Sequence, residues 1–324
     1  MVRIVVLTLA INILFMATVF AENPAAEKYR AMIRSGNYHI VYQQEYGKEM
    51  GAMTEIFPAE EKSPAKYTEI DAANGQTMIW MNRKTETSAY GAVKERYSDE
   101  INYATALYRD GKYYSFENNK KAYVITEEDY KEYRKNATNN LANTLSEMRK
   151  QDLNWDKAMR EAKINAPDKI YRALNPLLLL TDPTPIEKIN ELNAKILGGE
   201  AVDMKEYGDP RRTNMVYQGS RTETIDGVAY DVDSYAEKSM EGSSGTGLGG
   251  LEFKEVTYYS RIYYKDGNIY KIEDDFMGME TVFKEFSNNV PADKLNMPQG
   301  CKVYRAGLGD LDSLTGKEVL VEEY

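Results

Sequence analysis

The sequence predicts an α+β fold dominated by antiparallel strands, and three observations carry that reading. Asp110-Gly111, Asp226-Gly227 and Asp266-Gly267 each separate two strand-like runs. Asp-Gly supplies the positive φ that a tight turn between twisted strands requires. Residues 37–46 (NYHIVYQQEY) alternate strictly, with Tyr38, Ile40, Tyr42, Gln44 and Tyr46 on one face and His39, Val41 and Gln43 on the other. A helix-like stretch at about 131–200 then divides two strand-rich stretches.

The first 21 residues read as an export signal. Arg3 is the positive end, residues 4–20 are nearly all apolar, and Val19-Phe20-Ala21 has the side chains of a cleavage site. Cleavage after Ala21 leaves 303 of the 324 residues and moves the formal charge from −10 to −11 by removing Arg3. The alternative is a retained anchor, since about seventeen apolar residues sit at the low limit for crossing a membrane. The expected organisation is a signal at 1–21 and a single domain at 22–324 with a helical insertion at about 131–200. A lipid-modified signal would need a Cys directly after it, and the only Cys is Cys301.

Residues 25–34 (AAEKYRAMIR) read as a short amphipathic helix ended by Ser35-Gly36-Asn37. Strands follow at about 37–46, 51–57, 65–71, 76–83 and 86–92, then the hairpin 104–108 and 112–117 around Asp110-Gly111. Leu141, Leu145, Met148, Trp155, Met159 and Ala162 recur at helical spacing. Pro167 and Pro176 break the section around Leu177–Leu180. Thr184-Pro185-Ile186-Glu187 has a helix-start pattern, ended by Gly198-Gly199. Strands return at 214–224, 228–237, 253–264, 268–274 and 281–286, with a short one at 301–305. The echo between Tyr108–Tyr114 and Tyr264–Tyr270 reads as two hairpins obeying one turn chemistry.

Composition narrows the function. At 42% hydrophobic and 28% charged residues, the chain can bury a core. One Cys excludes an internal disulfide framework, and one His with one Cys excludes a zinc site built from several of either. Cys301 reads as a small buried hydrophobe at a strand end. The net charge of −10 argues against a nucleic-acid partner. His39, alone in its strand, reads as structural or solvent-facing. No nucleophile elbow exists, and Gly242–Gly250 lacks the ending of a phosphate loop. Asp231-x-Asp233, Asp274-Asp275 and Asp310-x-Asp312 are acidic clusters; the Asp310–Glu318 stretch reads as a solvated turn rather than a calcium loop, and nothing singles out a glycosidase-like pair. No cofactor and no metal is expected.

The C-terminal text carries a resemblance. Residues 225–232 (IDGVAYDV), 263–272 (YYKDGNIYKI) and 280–286 (ETVFKEF) lead to 290–304, with Pro291, Leu295, Pro298 and Gly300 spaced along it. This order resembles the outer-membrane lipoprotein carrier and receptor (LolA/LolB-like) superfamily, mainly over 214–304 and more loosely over 37–130. The resemblance implies a strongly curved antiparallel sheet, an incomplete β-barrel, with helices packed on its concave side. Such an arrangement suits an apolar ligand.

The expected function is therefore a non-enzymatic, exported binding protein of the cell envelope, soluble in the periplasm after cleavage. It would hold a lipid, acyl chain or lipoprotein between sheet and helices. An envelope sensor or protein-interaction module of the same fold and a secreted hydrolase are the alternatives. Candidate ligand-lining residues are Met78 and Trp80 on one strand face and Leu141, Leu145, Met148 and Trp155 on the helical stripe. Tyr264 joins them from among the 26 tyrosines, whose apolar bodies and polar tips suit a half-wet sheet face.

Overall fold

Tight turns set the strand pattern. The protein is seen here as a computed structural model that describes residues 22–46, 66–87, 93–131, 166–197, 210–244, 251–276, 278–306 and 318–324. At Asp110-Gly111 the φ angles are 53° and 71°, at Asp226-Gly227 51° and 79°, and at Asp266-Gly267 50° and 70°. Asn74-Gly75 makes a fourth turn of the same kind, at 53° and 74°. Positive φ at both central residues defines the hairpin turn whose twist matches its strands.

The first half supplies β1 (Tyr38–Tyr46), β2 (Tyr67–Ala73), β3 (Gln76–Met81), β4 (Arg83–Thr87), β5 (Val93–Tyr97), β6 (Tyr103–Arg109), β7 (Lys112–Asn118) and β8 (Lys121–Thr126). The second half supplies β9 (Val216–Ile225), β10 (Val228–Ser244), β11 (Leu251–Lys265), β12 (Asn268–Asp274) and β13 (Met279–Ser287). Two short strands, β14 (Lys302–Arg305) and β15 (Leu320–Glu323), follow. Among the described residues, thirteen of these strands form one curved, unclosed sheet in the order β15-β14-β8-β7-β6-β3-β2-β1-β13-β12-β11-β10-β9. β4 and β5 pair only with each other. One pairing departs from the expected antiparallel sheet: β14 runs parallel to β8. The run expected as one strand over 76–83 divides at Asn82, whose buried amide bonds Tyr67 N and Ser98 O across the gap. The strand expected at 51–57 lies outside the described residues.

Helices cover one face. They are α1 (Pro24–Ser35), α2 (Ala166–Leu174), a 3₁₀ helix (Asn175–Leu180), α3 (Ile186–Leu197) and α4 (Pro210–Asn214). Asn23 caps α1 by accepting from Ala25 N at 2.9 Å, and Gly36 ends it at φ 62°. Tyr38, Ile40 and Tyr42 of β1 face the helices with Ile70, Ile79, Ile262, Tyr264 and Phe283. Leu177–Leu180 close over this layer, all buried. The Tyr42 hydroxyl donates to Ala173 O at 2.8 Å, and Tyr29 OH accepts from Ile269 N at 3.0 Å. Burial at about 25 cal/mol per Å² of apolar surface is the main force here, and these bonds fix the orientation. Among the described residues no helix is long and apolar enough to cross a membrane.

The chain's own C-terminal segment covers the other face of the first half. Turns at Pro291–Lys294, Asp293–Asn296 and Pro298–Cys301 lay this segment down. Met297, Cys301 and Val303 pack there on Met78, Trp80, Leu107 and Phe116, with Leu295 partly buried beside them. Cys301 is buried as expected, and burial pushes its thiol up to about 11. The Trp80 indole N–H donates to Lys294 O at 2.8 Å.

Two predictions follow from this packing. Trp80→Ala should cost about 3–5 kcal/mol, the range for a buried aromatic, and should speed amide exchange over 297–303. A cost below about 1 kcal/mol with unchanged exchange would show that the segment is held by something else. The second concerns Lys169, whose ammonium donates to Thr105 O, Ser115 Oγ and Phe116 O at 3.2, 3.0 and 3.2 Å. None of the three is anionic. Burial first, and the nearby Arg83 charge second, push Lys169 from 10.5 down to about 8. Above pH 8 the folded chain has released this proton while the unfolded chain keeps it until about 10.5, so stability rises with pH across that window. In urea titrations, wild type should gain on Lys169→Met by up to about 3 kcal/mol between pH 8 and 10.5. A pH-independent difference would sink this account.

Candidate functional site

α1 brings Arg30 into the apolar layer, and α4 brings Arg212. Both are buried. Arg30 Nη2 donates to the Tyr235 hydroxyl at 3.2 Å and to Leu179 O at 3.4 Å. Arg212 lies over the Tyr235 ring at 5.5 Å, and its Nε donates to Thr181 O at 3.0 Å. The two cations thus converge on Tyr235 and on the C-terminal end of the leucine-lined 3₁₀ helix. Two buried guanidinium groups repel each other unless an anion lies between them. Here Glu22 supplies the negative charge: it accepts from Arg30 Nη1 and from the Tyr235 hydroxyl, the latter at 3.0 Å, and acts on Arg212 through space.

The electrostatics follow from that geometry. Burial opposes ionisation of Glu22, but the Arg30 hydrogen bond and charge prevail and hold it below the usual carboxylate range. Burial opposes the Arg30 charge too, yet the Glu22 bond raises it. Arg212 is lowered, by burial foremost. Asp233, fully buried on β10, accepts from Asn23 N at 2.9 Å and from Ser220 Oγ, and burial raises its carboxyl above the ordinary value. The Tyr264 hydroxyl and Arg30 Nε are buried polar atoms with no hydrogen-bond partner among the described residues. Native proteins leave few such atoms unpaired. The cluster opens toward solvent on the Glu22 side, where the side chain is 28% exposed.

The residues picked from the sequence fall in three places. Tyr264 joins the cluster, and burial raises its hydroxyl strongly. Met78 and Trp80 lie on the opposite face, against the C-terminal segment, so they do not meet Tyr264. Leu141, Leu145, Met148 and Trp155 lie outside the described residues. Sequence reading missed Arg30, Arg212, Tyr235 and Glu22. Its one available signal was the acidic cluster Asp231-x-Asp233: in an alternating strand both carboxylates share a face, and Asp233 is buried. In the second acidic cluster, Arg211 grips Asp274 with two hydrogen bonds at 2.8 and 2.7 Å. His39, read as structural or solvent-facing, is buried and 2.7 Å from Asp71.

No protein-family model matches the chain, and no curated protein matches it. Among solved structures it is similar to LprF from Mycobacterium bovis, with 9% sequence identity, coverage of 86% of this chain and 98% of that chain, and a TM-score of 0.32.

Proposed function

We propose that this protein is an exported, non-enzymatic binding protein of the cell envelope that holds an anionic amphiphile between its curved sheet and its helices. One observation supports this above the others: two buried arginines converge on Tyr235 within a layer of leucine and tyrosine, and one of them, Arg30, grips the Glu22 carboxylate. The Glu22 carboxylate stands where a ligand's acidic head would sit. Arg30 and the Tyr235 hydroxyl recognise that head, and the Arg212 charge adds to the attraction. Leu177–Leu180 cover the face that the acyl chain would take.

The energetics are compatible with exchange. An acyl chain that replaces leucine side chains against the sheet buries similar apolar area, so this part of the exchange is close to neutral. The head group then decides affinity, because charge-assisted hydrogen bonds to a buried guanidinium are about twice as strong as neutral ones. Uncharged amphiphiles gain the first contribution and not the second.

The test is native mass spectrometry on protein purified from its own envelope, followed by titration with a fatty acid and with the corresponding fatty alcohol. The acid should bind at least tenfold more tightly than the alcohol, and Arg30→Gln should remove that preference while leaving alcohol binding unchanged. An apoprotein that takes up neither would overturn the reading and favour a protein-interaction module of the same fold.

A further inference from the structure

The opposite sheet face holds a second group of buried charges. His39 of β1 and Asp71 of β2 are directly paired in register, and Glu69 lies two residues along the same face. Their exposures are 6%, 0% and 3%. His39 Nδ1 is 2.7 Å from Asp71 Oδ1 and 3.7 Å from Glu69 Oε1. One ligand atom from each lies within 4.8 Å of the others. We propose that His39, Glu69 and Asp71 form a binding site for a divalent transition-metal cation, with zinc the best fit.

Geometry supports this first. Zinc binds imidazole nitrogen and carboxylate oxygen at about 2.0–2.2 Å in a tetrahedron, which sets neighbouring ligand atoms about 3.3–3.5 Å apart. The observed 2.7 and 3.7 Å bracket that spacing. Side-chain movements of under an ångström would equalise them. Three protein ligands leave the fourth position to water.

Charge balance supports it independently. Glu69, Asp71 and Glu285 surround His39, and Lys294 pairs with Glu69. Lys294 Nζ bonds Glu69 Oε2 at 2.9 Å, so the other oxygen, Oε1, is the one turned toward His39. Asp71 Oδ2 is fully buried and has no hydrogen-bond partner among the described residues. An unpaired buried carboxylate oxygen is costly, and a metal ion chelated by both Asp71 oxygens removes that cost.

The outer partners complete the arrangement. A metal-bound imidazole ordinarily gives its other N–H to a carboxylate, which fixes tautomer and ring orientation. Glu285 Oε2 stands 3.5 Å from His39 Nε2, on the side away from Nδ1. It reaches this position from the solvent side, at 54% side-chain exposure. One imidazole with carboxylates suits zinc better than calcium, which prefers oxygen alone.

The test uses the whole exported chain, stripped with chelator and titrated with zinc sulfate. One zinc per chain should bind, and the thermal midpoint should rise with zinc. His39→Gln and Asp71→Asn should weaken binding at least a hundredfold, and Glu285→Gln about tenfold, the range for outer partners. X-ray absorption on the wild-type zinc form should show a single imidazole among oxygen ligands, and His39 is the only histidine the sequence offers. That spectrum decides the matter should the variants fail to fold. Sub-stoichiometric zinc, ligation by oxygen alone, or unchanged binding in folded His39→Gln would overturn the assignment.

Discussion

The fold depends on β1 having two partners. It pairs with β2 on one side and with β13, some 240 residues later, on the other. Without the β13 pairing the chain would make two separate sheets, each with an open edge beside β1. Edge strands with unpaired backbone groups invite association, so closing this seam removes a liability and gains a continuous apolar face. That face spans Tyr42 and Phe283 on neighbouring strands, 6.3 Å apart at their ring centroids. α1 packs across the same seam, with Tyr29 against Phe286 at 4.6 Å and its hydroxyl bonded to Ile269 N. The helix is thereby fixed to the second half of the sheet immediately before the chain enters the strand that joins both halves.

Alternation along β1 gives the protein two chemically different faces. Even-numbered positions place Tyr38, Ile40 and Tyr42 under the helices, while His39 meets Glu69 and Asp71 on the other side. A register slip of one residue would send histidine into the apolar layer and tyrosine into the acidic group. Both outcomes are strongly unfavourable, since a buried charge without partners costs several kcal/mol. The polar group therefore specifies register as well as chemistry. The Arg30–Glu22–Tyr235 group does the same for α1, because only one rotation of that helix brings Arg30 to the Leu179 carbonyl.

Local features of the fold were legible in the sequence because local physics fixes them. Positive φ at Asp110, Asp226 and Asp266 follows from their Asp-Gly turns, and the two faces of β1 follow from alternation. The start of α3 beside Pro185 follows from helix-start chemistry. Long-range placement was not legible. Arg30 meets Tyr235 across 205 positions and His39 meets Asp71 across 32, and no local pattern encodes either pairing. His39 is a lone histidine in its strand, and its carboxylate partners come from the neighbouring strand. Met78 and Trp80 show the converse: their shared strand face was read correctly, but not that residues 295–303 of the same chain lie on it. The parallel pairing of β14 with β8 was equally invisible, because a four-residue strand carries no mark of its direction.

The two faces are not independent, because β1 and β2 separate them by the thickness of one sheet. Ile40 and Ile70 are paired in register and point to the helices, while their neighbours His39 and Asp71 are paired and point away. Anything that draws the His39 and Asp71 side chains together also holds the β1–β2 register beneath Ile40 and Ile70. Displacing Leu177–Leu180 from the helix side, by contrast, leaves that pairing intact, since those leucines bond within their own helix end and to Arg30 rather than to β1 or β2 backbone. The register of the sheet is therefore set without help from the leucine cover. More than apolar contact holds that cover, since the buried Arg30 and Arg212 donate to its Leu179 and Thr181 carbonyls.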